Sequence, residues 1–383
     1  MKRTAVVAML LSYIFVSCRL STSENTSVNQ YIYKDSLTIC ETLDELTYSV
    51  KFVKLNTYDN CILGDINKIE IDGTDIFIED FKERLYRFDM DGCFQNKIGT
   101  KGGSQSEYIS LFDFYLDKKN QLVCIMDLSK GKLLRYDYNG EFLSSQSVSI
   151  ELMNGPVGIS PLNEYELIAI NCNGPGEEYQ YSLVDIEKAV SKQILPYTII
   201  GEERSVQEKG RIAQNASYTY ILSFLSDTIY SYYDGNFVAE YLFISDETHF
   251  DKRNVKGKTF QTCFDAEQYI RNRSISTGIK SLYVTNTNLF FEYVTKDNYY
   301  RIFFNNETNK GYIYDVRKNL DDVGNIMWNN VMSSSEQAFI GVLPIGEYAS
   351  NELLKNKYPD LSKLLSQSDI SDNPIILLIE MIK

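Results

Sequence analysis

One strand pattern is written twice between residues 66 and 142, and no other feature of the chain restricts its fold as strongly. The first copy reads IEIDGTDIFIEDFKERLYRFDMDGCFQNKIG and the second FYLDKKNQLVCIMDLSKGKLLRYDYNGEFLSSQ. Phe88 and Tyr136, Asp89 and Asp137, Gly92 and Gly140, and Phe94 and Phe142 each lie 48 positions apart. Asp80 and Asp127 are 47 apart, so the second copy has one extra residue in a turn. Each copy holds a short apolar run, a polar turn, a second alternating run, and an Asp-x-x-Gly hairpin leading into a last strand. Alternation at period two is the mark of a strand with two unlike faces. A tandem unit of this length with four strands has the period of a propeller blade.

Weaker copies follow. EYELIAINCNG (164–174) and YQYSLVDIE (179–187) read as facing strands about the turn Asn173-Gly174-Pro175-Gly176. SYTYILSFLSDTIYSYYDGNFVAEYLFI alternates around an Asp234-Gly235 hairpin, and SLYVTNTNLFFEYVT, YYRIFFNN and GYIYDV form a fifth unit. NIMWNNV and QAFIGVLPI suggest strands of a sixth. Between units four and five, CFDAEQYIRN reads as one or two helical turns. ASNELLKNKYPDLSKLLSQS reads as a helical insert broken at Pro359. One strand is left over at each end: LTYSVKFVKLN (46–56) and IILLIEMI. These units predict an all-β fold, a six-bladed β-propeller of four-stranded antiparallel blades with a short helical insert near the C-terminus. Pairing an N-terminal strand into the blade begun by the C-terminus would close the ring. With 29 Tyr and 20 Phe against 7 Pro and 1 Trp, the composition suits pleated, half-buried surfaces.

The start of the chain has a different character. Met1, Lys2 and Arg3 precede an apolar run over residues 5–16, which is too short to span a bilayer permanently. Phe15-Val16-Ser17-Cys18 resembles the lipobox of bacterial lipoproteins, in which the cysteine becomes the lipid-modified first residue, although that pattern prefers Leu at the position of Phe15. The alternative is an ordinary cleaved signal with an incidental cysteine. The expected division is therefore a signal peptide over 1–18 with lipidation at Cys18, a flexible tether over 19–30, and one propeller domain over 31–383. The expected location is the cell envelope, lipid-anchored at the outer membrane, with either face of that membrane open. The other six cysteines, Cys40, Cys61, Cys93, Cys124, Cys172 and Cys263, include no CxxC pair and read as packed thiols.

A net charge of −14 repels a phosphate backbone and argues against nucleic acid. The single histidine, His249, sits in the charged stretch ISDETHFDKRN and reads as a solvated loop residue. It leaves little room for imidazole-based metal or acid–base chemistry. There is no GxSxG or HExxH. The glycine-rich stretch GTKGGSQSEY lacks a phosphate-binding spacing and reads as a linker.

KLNTYDNCILGDINKIEIDGTDIFIED, the paired F-D-x-x-G and Y-D-x-x-G hairpins, SDTIY and DNPIILLIEM together resemble the six-bladed β-propeller lipoproteins of Gram-negative anaerobes, relatives of the NHL-repeat propellers. The resemblance covers nearly all of the chain after its signal and implies the fold without naming a ligand. In that family the first crossing is of GxGxGPxEY type; this chain keeps Glu107 and Tyr108 but has no proline.

Asp80 with Arg84, and Asp127 with Lys132, fall in the turn between the second and third strands of their blades. That turn shares a rim with the crossings between blades, which brings Lys82, Glu83, Glu107, Tyr108 and Lys130 to the same mouth. The candidate ligand-binding residues are thus Asp80, Lys82, Arg84, Glu107, Tyr108, Asp127, Lys130 and Lys132. The competing reading is that each Asp accepts hydrogen bonds from its own turn, which repetition in every blade favours. The tyrosine clusters 218–220, 230–233 and 299–300 offer rings that could stack on sugars, but alternation along their strands makes them, like Trp328, read as packing between blades. Function is read as non-catalytic binding of a glycan, a peptide or an envelope protein by a monomer, with lipid attachment as the only membrane contact. The alternatives are an assembly partner using a rim or side face, and a metal-dependent propeller hydrolase or lyase. No cofactor is expected; Ca2+ is the ion an axial carboxylate cluster would take, and no motif here supports it.

Overall fold

The computed structural model describes residues 28–153, 155–205, 211–233 and 235–382. The expected signal peptide, Cys18 and residues 19–27 of the expected tether lie outside the described residues.

Three strands precede the first repeat: β1 (Gln30–Tyr33), β2 (Thr38–Cys40) and β3 (Tyr48–Lys54). Blade one is β4 (Ile66–Asp72), β5 (Asp75–Asp80), β6 (Arg84–Asp89) and β7 (Phe94–Lys97); blade two is β8 (Asp113–Asp117), β9 (Leu122–Asp127), β10 (Lys132–Asp137) and β11 (Phe142–Ser147). Blade three is β12 (Pro156–Pro161), β13 (Glu166–Asn171), β14 (Tyr179–Asp185) and β15 (Val190–Pro196). Blade four is β16 (Ile212–Gln214), β17 (Thr219–Leu222), β18 (Thr228–Tyr233) and β19 (Asn236–Ile244). Helix α1 (Cys263–Arg271) then precedes blade five, which is β20 (Ile279–Val284), β21 (Asn288–Val294), β22 (Tyr299–Asn305) and β23 (Lys310–Asp315). Helix α2 (Gly324–Asn329) leads into β24 (Val331–Ser334) and β25 (Phe339–Leu343). Helices α3 (Ile345–Tyr348), α4 (Glu352–Lys357) and α5 (Pro359–Ser366) form the insert before β26 (Ile375–Met381). The six-bladed all-β fold and its C-terminal helical insert are as the repeats predict.

The first strands of the blades gather around a common axis, where β4 neighbours β8 and β24, β8 neighbours β12, and β20 neighbours β16 and β24. Strand alternation divides each blade between its two neighbours. Ile76 and Ile78 of β5 pack toward Ile340 and Ile376 of blade six, whereas Phe77 between them packs toward Phe114 and Ile125 of blade two. The core is therefore a set of wedges rather than one centre.

Blade six contains only three strands from its own stretch of chain. Its outer strand is β3, antiparallel to β26 from Tyr48 opposite Met381 to Lys54 opposite Ile375, so the two ends of the chain close the ring. The segment before β3 also wraps the outside. β1 lies parallel on β19 of blade four, and β2 parallel on β23 of blade five. Residues 29 and 30, expected within the tether, are instead held on blade four: the Asn29 amide donates to Ala239 O at 3.0 Å and Gln30 opens β1.

A second departure concerns NIMWNNV. Residues 324–329 form α2, because the fourth strand of blade six comes from β3 instead. Trp328 is buried, as expected, but on a helix, with ring centroids 4.6 Å from Phe303 and 5.0 Å from Phe290. The six described cysteines are free thiols; Cys93 is exposed and the other five are buried.

Candidate functional site

Each crossing between blades returns to the turn joining a second and a third strand, so these segments share one end of the ring, called here the crossing face. All eight residues singled out from the sequence lie on it. Asp80 is fully buried. Its Oδ1 accepts from the amides of Lys82 (3.0 Å) and Arg84 (3.2 Å), and its Oδ2 from Arg84 Nε (2.9 Å) and the incoming Gly64 amide (3.0 Å). Burial pushes the Asp80 carboxyl up, but the Arg84 guanidinium and the Gly64 amide outweigh it and leave the group below its ordinary value. Asp127, also fully buried, repeats the arrangement with the amides of Lys130 (3.0 Å) and Ile109 (2.7 Å) and with the Ser110 hydroxyl (3.3 Å). It takes these groups where Lys132 was expected. Tyr108 is buried and donates to Glu83 O at 3.0 Å. Lys130 Nζ donates to Ser104 O (2.7 Å) and Glu107 O (2.6 Å), while the Glu107 carboxylate accepts from the Ser104 amide at 2.8 Å. Six of the eight thus hold crossings to blades. Lys82, which is exposed, and Lys132, half-buried, complete the rim. A small cavity of about 310 Å³ lies beside them, lined by Asp80, Glu83 and Phe112 among others.

The larger space is on the axis. A cavity of about 2010 Å³ is walled by inner strands and opens among the turns that join first to second strands in blades two, three, four and six. That is the end opposite the crossings. Asn67 and Phe112 line both cavities and mark where the two approach each other. Deep in the wall, Lys68 Nζ lies 2.8 Å from Asp113 Oδ1 and 3.1 Å from Glu70 Oε1, and it also donates to Phe114 O. Burial pushes the Lys68 ammonium down; Asp113 and Glu70 outweigh this and hold it above its ordinary value. The second oxygens of the acids are occupied too, Asp113 Oδ2 by the Ile159 amide (2.8 Å) and Glu70 Oε2 by the Leu116 amide (3.1 Å). An ammonium has three donors, and all three are engaged. This network stitches the inner strands of three blades; hydroxyls such as Ser160 and Ser333 also line the inner strands, while charged residues including Lys118, Lys119, Glu164 and Glu336 line the turns around them.

Aromatic residues stand at the mouth. Tyr165 (44 % exposed), Tyr218 (40 %) and Tyr233 (64 %) border the cavity, with the Tyr218 and Tyr233 ring centroids 5.6 Å apart. The expectation that these clusters pack between blades holds for Tyr220 and Tyr232, both buried, but not for Tyr218 and Tyr233. Tyr218 lies at the end of a turn and Tyr233 at a hairpin, where no adjacent blade covers them. Their position beside turns was the available signal.

No cluster of three or more His, Cys, Asp or Glu side chains placed to hold a metal occurs among the described residues. His249 is half-exposed, and its Nδ1 lies 2.6 Å from Asp227 Oδ2, an ion-pair contact where a solvated loop residue was expected. The hydrogen bond to Asp227, opposed by burial, raises the imidazole above 6.5. A raised folded value stabilises fully below the unfolded pKa and loses that contribution as pH climbs through the folded one. The melting temperature is therefore expected to fall slightly between about pH 6 and pH 8. His249→Gln should lack that component, and superimposable pH profiles for the two proteins would contradict it.

Comparison with known proteins supports the architecture. A Bacteroides fragilis protein inferred to be exported matches 93 % of this chain and 100 % of its own, with a TM-score of 0.72 at 18 % identity. A member of the DUF4221 family from Bacteroides vulgatus matches 88 % of this chain and 98 % of its own, at 10 % identity and a TM-score of 0.45. No functionally curated protein matches. Residues 38–380, from β2 through β26, fit the model of a domain of unknown function, DUF4934, and the chain belongs to that family.

Proposed function

We propose that the protein is a non-catalytic binding propeller of the bacterial cell envelope and that it holds an uncharged oligosaccharide in the axial cavity. The observation that carries this reading is the pairing of exposed tyrosines at the mouth with a network in which Lys68, Glu70 and Asp113 neutralise one another on the inner strands, the other lysines and acids of the lining, such as Lys118, Lys119 and Glu164, standing at the rim turns. A sugar ring offers apolar C–H faces to aromatic rings and hydroxyls to amides and serines. A tyrosine supplies an apolar body with a polar tip for both. Export is supported by the basic, apolar and lipobox-like start of the chain. On this reading Asp80, Arg84, Glu107, Tyr108, Asp127 and Lys130 serve the scaffold, and Lys82 and Lys132 the opposite rim.

Screening an oligosaccharide array and then titrating the best ligand calorimetrically tests the proposal. Tyr218→Ala and Tyr233→Ala are each expected to weaken binding about tenfold or more, as loss of a central aromatic contact does. Because both rings are exposed, melting curves should be unchanged, and Tyr233→Trp should retain affinity. Unaltered affinity in both alanine variants would remove the site, and a blank glycan array beside a positive peptide array would replace the ligand class.

A further inference from the structure

The crossing face has a property that its hydrogen bonding does not require. Every one of the six crossings holds out a large apolar side chain: Ile62 (48 % exposed), Ile109 (51 %), Ile150 (37 %), Ile200 (41 %), Phe264 (43 %) and Leu320 (72 %). Between them, the turn residue Phe81 (68 %) and the insert residues Leu353 (66 %) and Ile370 (73 %) are exposed at the same end. The mouth of the axial cavity, by contrast, is bordered by tyrosines.

The crossing from blade four to blade five adds charge of the opposite sign to that of the whole protein. Its short helical turn Lys252–Val255 and the residues after it expose Lys252, Lys256 and Lys258, while three nearby acids are paired, Asp246 with Lys34, Asp251 with Arg253 and Glu267 with Lys280, leaving Glu247 and the capping Asp265 as the acids of this crossing without a salt bridge among the described residues. This insert has its own small core, in which Val255, Cys263, Ala266 and Ile270 pack on Tyr197 and Phe224, so the lysines and Phe264 stand on a supported platform.

The geometry points to the crossing face as a surface that rests on a lipid bilayer containing anionic headgroups, with the cavity mouth directed away from it. Single apolar side chains spread around a ring suit a bilayer, where each enters the interfacial region separately. A folded protein partner needs a contiguous apolar centre. Lysines near an anionic leaflet add attraction within a Debye length. The described chain begins beside the middle of β19, and β1 runs parallel to that strand toward the crossing face, where Lys34 pairs with Asp246 beside the basic crossing. The inference shares the envelope location with the proposal above and is independent of its ligand.

Trp328, the only tryptophan, is buried, so a second one placed on the surface reports its own surroundings. The full chain carrying Phe264→Trp, and separately Lys119→Trp on the opposite face, is mixed with phosphatidylcholine–phosphatidylglycerol vesicles bearing brominated acyl chains. Loss of emission and a blue shift are expected at position 264 and neither at 119. Adding Lys252→Ala, Lys256→Ala and Lys258→Ala should reduce the loss at 264 without altering the melting curve. Emission at 264 indifferent to bromolipid, quenching at 119 instead, or a protein that remains in the supernatant each overturns the inference. Saccharide titration of the Phe264→Trp and lysine variants in solution tells this failure apart from failure of the axial site.

Discussion

Deleting residues 374–383 is expected to abolish cooperative unfolding of the entire propeller, not of blade six alone. The deletion removes β26, whose residues 375–379 are all buried, from between β25 and β3. Burial of a large aliphatic side chain is worth about 1.5–3 kcal/mol. Five of them approach the roughly 5–15 kcal/mol that separates a typical native domain from its unfolded state. The effect does not stop at one strand, because β3 loses its only partner and the ring then has two free edges. Ile376 and Leu378 also belong to the wedge shared with blade one, and Ile375, Leu377 and Ile379 to the wedge shared with blade five. Thermal and urea melts followed by near-ultraviolet circular dichroism measure the outcome. A truncated protein with a single transition at the wild-type midpoint would show that closure is dispensable.

The first two blades are legible in the sequence for a reason visible at their hairpins. Gly92 and Gly140 adopt φ of +80° and +86°, which favours glycine. A Cβ on Gly92 would also stand 2.0 Å from Lys54 O of blade six, and one on Gly140 2.5 Å from Lys97 O of blade one. Each hairpin abuts the outer strand of the preceding blade so closely that the glycine recurs. Gly235 in blade four meets nothing within 4 Å, and the copy of the pattern there is correspondingly loose. The outer belt was not legible, since β1 and β2 are only four and three residues long and pair in parallel with strands about 200 or more positions away. No turn marks such a contact.

The candidate site was readable only in outline. Repetition drew attention to Asp80 and Asp127, and repetition is what a scaffold produces. The axial network has a different signature, the blade period itself: Lys68 meets Asp113 across 45 positions and Asp113 meets the Ile159 amide across 46. Equivalent positions on successive inner strands must face one another around a closed ring, so polar residues one period apart were the available clue. The tyrosines at the mouth read as packing because alternation predicts which side of a sheet a residue occupies, and says nothing about whether a neighbouring blade extends far enough to cover it.

The second large effect is expected at a buried charge between blades five and six. Arg301 is fully buried on β22, directly opposite Glu292 on β21, with Nε 3.5 Å from Glu292 Oε1. Its Nη1 donates to Asn325 Oδ1 at 2.8 Å and its Nη2 to Asn329 Oδ1, one helical turn further along α2. Glu292 in turn accepts from Ser281 Oγ at 2.7 Å and from the Tyr299 hydroxyl. In Glu292→Gln the amide oxygen can still accept from these hydroxyls, but the guanidinium is left facing neutral groups only. A buried charge deprived of its counter-charge typically costs about 3–5 kcal/mol. For a chain of this size that corresponds to a melting temperature lower by roughly 5 °C. Pairing it with Arg301→Met removes the stranded charge and should recover part of the loss, the remainder reflecting the unpaired Asn325 and Asn329 amides. A single variant that melts with the wild type would mean that the asparagines and residual water already neutralise Arg301, and that the helix α2 contact, not the ion pair, joins these two blades.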